Sequence, residues 1–101
     1  MKKLSELSRS IDNKVALITG ATSGMGLATA KLFSDQGAQV IVTDLNEDKI
    51  NEVVKEISSY GKKCYGIKLD VTNLDEIKSA VAETVKLFGG IDILINNAGI
   101  S

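Results

Sequence analysis

Eight residues concentrate the chemistry available to this chain: Thr19 to Gly26, reading Thr-Gly-Ala-Thr-Ser-Gly-Met-Gly. An apolar run, Val15 to Ile18, precedes them, and a helical pattern through Leu27, Ala28, Leu32 and Phe33 follows. A strand, a glycine-rich turn and a helix N-terminus in that order make a phosphate site, because turn amides and the positive end of the helix dipole point at the same place. Gly20 permits a tight exit from the strand, Gly24 lets backbone approach a pyrophosphate without a Cβ between them, and Gly26 lets helix and strand pack closely. Thr22, Ser23 and the N–H groups through Met25 are the donors such an anion would meet. Ordinary turns also favour Ser and Thr, but that does not account for three glycines opening a helix.

A second group stands one apolar segment further on. Asp44 closes the β-branched run Val40 to Thr43, roughly twenty residues past the glycines, where a carboxylate can accept both hydroxyls of a ribose and repel a 2′-phosphate. No Lys or Arg occupies Thr22, Ser23 or Leu45 to meet such a phosphate. Together these point to NAD rather than NADP. An acid ahead of the Asn46 helix cap would look the same, so this position has a purely local reading as well.

The spacing G-x-x-x-G-x-G departs from the common G-x-G-x-x-G dinucleotide fingerprint. Thr19-Gly20-x-x-x-Gly24-x-Gly26, followed by Asp70-Val71 and then Asn96-Asn97-Ala98-Gly99, resembles the successive signatures of the short-chain dehydrogenase/reductase family, from about Asn13 to the last residue. The resemblance implies that Asp70 bonds the adenine amino group, that Val71 packs on the ring, and that Asn97, Ala98 and Gly99 line the ribose side of the cofactor. It also implies alcohol–ketone interconversion by hydride transfer, with a tyrosine, a lysine and a serine as the acid–base machinery. That tyrosine is followed four residues later by lysine; here Tyr60 is followed by Cys64 and Tyr65 by Leu69, so neither qualifies. The chain is therefore read as the N-terminal, NAD-binding segment of an NAD-dependent oxidoreductase, with no catalytic residue of its own and no turnover alone. A non-catalytic nucleotide-binding module is the alternative. A methyltransferase-type nucleotide site fits the first turn and the acid but does not predict Asn-Asn-Ala-Gly.

These residues need elements to hold them. Residues 1–13 read as a polar leader and 14–101 as a partial Rossmann-like domain. Strands are predicted at Val15–Thr19, Val40–Thr43, Cys64–Leu69 and Ile91–Ile95. A helix from about Ser23 to Gln36 ends at Gly37; a second, capped by Asn46, carries the stripe Ile50, Val53, Val54 and Ile57 and ends at Gly61. A third begins at a capping-box pair Thr72 and Asp75 and buries Leu74, Ile77, Val81, Val85 and Phe88. Right-handed crossovers then give a doubly wound parallel sheet, first half only, in the order 3-2-1-4 with three helices and its switch point between strands one and four. Strand three, where Tyr65, Ile67 and Leu69 alternate with Gly66 and Lys68, reads as an edge with one less protected face.

Composition limits what else the chain can do. Twelve basic against 13 acidic residues leave no electrostatic footprint for nucleic acid or anionic lipid. A lone Cys64 and no histidine leave no metal-ligand cluster or disulfide framework. No apolar stretch approaches the roughly 20 residues that span a bilayer, and residues 1–10 lack the apolar segment of a secretion signal. The expected setting is the cytoplasm, the expected partners are a dinucleotide and a small alcohol or ketone, and strand four's open apolar edge is expected to make the protein a homo-oligomer.

Overall fold

Five consecutive apolar or β-branched residues with no polar alternation can be satisfied only by cover on both faces, and β1, Val15–Thr19, is buried along its whole length. In the computed structural model, which describes residues 11–97, β1 is central in a four-stranded parallel sheet of order β3-β2-β1-β4, as expected. The others are β2, Gln39–Asp44, β3, Cys64–Lys68, and β4, Ile93–Asn96; α1, Gly24–Asp35, α2, Glu47–Ser59, and α3, Leu74–Phe88, connect them. Leu17 lies between Ile41 of β2 and Leu94 of β4.

Alternate side chains of the sheet feed two clusters. Ile18, Val40 and Val42 pack with Ala30 of α1 and with Ile50, Val53 and Ile57 of α2. On the opposite face Val15, Leu17 and Ile41 pack with Ile67, Phe88 and Ile91. Helix ends follow the local chemistry: Gly37 takes a left-handed φ of 94° behind α1, and the Asn46 side chain accepts the Lys49 N–H at 3.1 Å to cap α2.

Two expectations are corrected at α3. Asn73, not Thr72, is its N-cap, accepting the N–H groups of Asp75 at 3.0 Å and Glu76 at 3.2 Å. Thr72 is instead turned onto Asp70. The buried stripe is also rotated, for Ala80 and Thr84 are buried while Leu74, Val81 and Val85 are exposed. The Thr84 hydroxyl, buried with Ala80, is satisfied by the Ala80 carbonyl at 2.8 Å.

β3 is an edge strand, ending at Lys68. Its exposure does not alternate cleanly, since both Tyr65 and Lys68 are open. α2 lies so close to it that a Cβ on Gly66 would stand 2.5 Å from Ile50 Cγ2. On the other face the Tyr65 and Phe88 rings meet edge to face, with centroids 6.0 Å apart.

Candidate functional site

The carboxyl ends of β1, β2 and β3 meet in a cleft of about 250 Å³ lined by Gly20, Asp44, Leu45, Leu69, Asp70, Val71 and Thr72. Five of these were singled out from sequence as site residues, and parallel strands bring them to one end of the sheet. The glycine turn beside them doubles back on β2 through the Ala21 N–H, which donates to the Thr43 carbonyl at 3.1 Å. Gly20 and Gly24 take left-handed φ values of 59° and 56°. Gly26 is buried, and a Cβ there would overlap the Gly20 carbonyl. The turn and the first coil of α1 can touch only because that position is glycine.

The mouth of α1 differs from those of α2 and α3. Its N-cap, Ser23, makes no side-chain cap bond, and no acid stands in the first turn. α2 and α3 each have an asparagine cap and two acids. A Cβ added at Gly24 would meet nothing within 4 Å, so the backbone there faces open space. Ser23, Gly24 and Met25 are all exposed. Amides of a helix N-terminus beside an open glycine fit an anionic diphosphate.

Asp44 is held by the turn it faces. Its Oδ2 accepts the Thr22 N–H at 3.2 Å and the Thr22 hydroxyl at 2.6 Å, and its Oδ1 accepts the Leu45 N–H at 2.7 Å. Partial burial pushes this carboxyl up, but the Thr22 hydroxyl, the Leu45 and Thr22 amides and the Lys49 charge outweigh it and hold Asp44 below the ordinary carboxylate value. Asp70 repeats the pattern. Its Oδ1 accepts the Thr72 hydroxyl at 2.6 Å and the Thr72 N–H at 2.9 Å, which hold it low as well. Glu76 reaches back to accept the Asp70 N–H at 3.1 Å.

At the end of β4, the Thr19 hydroxyl donates to Asn96 Oδ1 at 2.8 Å and ties β1 to the segment that follows. Asn97 is half-buried, and its Nδ2 makes no bond among the described residues. Ala98 and Gly99 lie outside the described residues. Thr72 and Asn96 were not weighed from sequence as site-forming. The first was detectable, since Asp-x-Thr is a side-chain turn spacing; the second depends on a parallel pairing that no local spacing encodes. Cys64 is pushed up to about 12 by burial and is an inert packing residue. No helix of the described residues is long and apolar enough to cross a membrane.

A parallel 3-2-1-4 sheet with a glycine turn at the end of its first strand and acids at the ends of the next two defines a Rossmann-like, doubly wound α/β protein. The family model described as short chain dehydrogenase matches residues 14–101, and the chain belongs to that family of oxidoreductases, which use nicotinamide dinucleotides. It is 46% identical over 98 residues to the secoisolariciresinol dehydrogenase of Forsythia intermedia, covering 97% of this chain and 35% of that one. With the cyclohexanol dehydrogenase of an Acinetobacter species it shares 43% over 94 residues, 93% of this chain and 38% of that protein. The solved structure of actinorhodin polyketide ketoreductase with NADPH superposes with a TM-score of 0.82 at 39% identity, covering 86% of this chain and 33% of that one. The chain thus spans a little over a third of the length of the curated relatives it matches.

Proposed function

We propose that this chain binds the ADP portion of NAD and forms the cofactor end of an NAD-dependent oxidoreductase that interconverts an alcohol and a ketone. One observation carries the reading: Gly20 of the glycine turn, the Asp44 carboxylate and the Asp70-Val71 pair share a single cleft at the carboxyl edge of the sheet. The diphosphate lies on the amides at the mouth of α1, with Thr22, Ser23, Gly24, Met25 and Gly26 around it. Asp44, beside Leu45, accepts the adenosine ribose hydroxyls. Asp70 takes the adenine amino group, and Val71 packs on the ring. Asn97, Ala98 and Gly99 line the path toward the second ribose. When bound, the nicotinamide would carry the hydride, taken from an alcohol or given to a ketone; the residues here hold and orient the other end of the molecule.

The dehydrogenase names of two relatives support the reaction class, and the carboxylate at Asp44 supports NAD over the NADPH that accompanies the ketoreductase. No Tyr-x-x-x-Lys occurs in these 101 residues, so the chain is inactive alone. Further parts of the proposal are a cytoplasmic setting, a small alcohol or ketone as substrate, and self-association through the open β4 edge. Calorimetric titration with NAD and with ADP-ribose tests the binding. Saturable one-to-one binding of both is expected, since the nicotinamide adds little here. No heat with either ligand would remove the assignment, and turnover by the purified chain would remove the claim of inactivity.

A further inference from the structure

A carboxylate offers about four lone-pair positions, and the protein already engages three on Asp44. Thr22 gives Oδ2 both its amide, at 3.2 Å, and its hydroxyl, at 2.6 Å; Leu45 gives Oδ1 its amide at 2.7 Å. The position left on Oδ1 is open to a ribose hydroxyl. Of the three protein donors only the Thr22 hydroxyl can turn without moving backbone. This side chain therefore decides how firmly Asp44 is held and how easily it yields. We propose that Thr22 is a specificity-determining positioning residue whose hydroxyl fastens the Asp44 carboxylate to the glycine turn, so that an unmodified ribose is accepted and a ribose carrying a 2′-phosphate is rejected.

The inference rests on the reading above that Asp44 meets the adenosine ribose. Its physical content is separate. Two anions at one ribose edge repel, and a 2′-phosphate can enter only if the carboxylate swings aside. Swinging aside breaks both Thr22 bonds. Without the hydroxyl, the remaining tether from Thr22 is the amide contact, the longest of the three. Half-buried Thr22 stands at the second position after Gly20, in the turn itself, so its hydroxyl reaches Asp44 without any help from the rest of α1.

The test is titration calorimetry of the whole chain with NAD and NADP, reading the ratio of the two dissociation constants. The wild type should favour NAD. Thr22→Val, which keeps volume and loses the hydroxyl, should shrink the ratio about tenfold, the usual weight of a bond to a charged group, chiefly by tightening NADP. Thr22→Ser should keep the wild-type ratio. Thr72→Val, which loosens the other carboxylate, should leave the ratio alone. Should valine disturb the turn, Thr22→Ala removes the same hydroxyl with a smaller side chain. An unchanged ratio in Thr22→Val and Thr22→Ala, with both constants moving together, makes Thr22 merely structural and overturns the inference. An equal ratio change in Thr72→Val overturns it too. If the wild type binds neither dinucleotide, the nucleotide reading itself falls; if it binds NAD and only the ratio fails to respond, that reading stands and this inference alone is lost.

Discussion

The two faces of the sheet are built from similar residues and finished to different degrees. Under α1 and α2, the side chains of Ile18, Val40, Val42, Ile50 and Ile57 are buried to 2% exposure or less. Around α3, Leu94 is 62% exposed and Val85 45%, and an apolar groove of about 120 Å³ runs between Leu17, Ile77, Ala80, Val81 and Leu94. A parallel sheet needs cover on both faces; on the α3 side that cover is complete over Val15, Leu17 and Ile41, at 4% exposure or less, but not over β4. The candidate cleft spans the two sides: Leu69 and Val71 also line the groove beside α3, whereas Gly20, Thr22 and Asp44 stand at the ends of β1 and β2, over the closely packed cluster under α1 and α2. Rigid backing there keeps a carboxylate and a turn in register, while the α3 side leaves apolar surface for association.

The contrast is broken most directly by truncating one residue from each face. Ile18→Ala, which empties a fully buried position, should cost about 4 kcal/mol of unfolding free energy. Leu94→Ala, at an exposed position, should fall within about 0.5 kcal/mol. Urea unfolding measures both, and equal losses would mean that the α3 face is closed in solution by something else, a second copy first of all. Leu94→Lys separates that case. A charge on the open edge should lower the sedimentation-average mass without lowering the melting temperature of the monomer.

Two glycines sharpen the comparison inside the site. Gly26→Ala sets a Cβ against the Gly20 carbonyl, a backbone clash that should cost about 3 kcal/mol and displace the turn. Gly24→Ala meets open space and carries only the penalty of its positive φ, about 1 kcal/mol. Nucleotide affinity should collapse in both, because at Gly24 the new methyl occupies the approach to the helix amides. A Gly24→Ala protein that binds NAD at wild-type strength would move the diphosphate elsewhere.

How much of this was readable beforehand follows the physics of each element. β1 and β2 announced themselves because continuous β-branched runs have few other solutions, and the sheet order followed from crossover handedness. Asn46 was legible as a cap because asparagine ahead of two acids has little competition. α3 was not. Val81 and Val85 are the more apolar choice for a buried stripe, yet the helix turns Ala80 and Thr84 inward and leaves both valines exposed, a rotation that local periodicity does not encode. Its cap slipped by one residue because Thr72, a good cap by type, is engaged by Asp70. Asp44 was legible as the acid that closes β2, but its hold by Thr22 was not, since the two lie 22 residues apart and meet only when β1 and β2 pair.

The smallest effect expected is in acid, and it distinguishes the two carboxylates. Both Asp44 and Asp70 are held below the ordinary value of 3.8 by their threonines. A carboxyl lowered in the folded state contributes stability above its unfolded value, and that contribution disappears as pH falls through the folded one. Urea midpoints should therefore decline below about pH 4. Asp44→Asn should flatten the decline more than Asp70→Asn, because the Asp44 carboxylate accepts three hydrogen bonds and the Asp70 carboxylate two. Thr22→Val should flatten it in the same direction as Asp44→Asn and by less, since two amide bonds persist. Matching acid profiles for wild type and Thr22→Val would mean that the hydroxyl does not reach the carboxylate in solution, and the selectivity argument would lose its anchor.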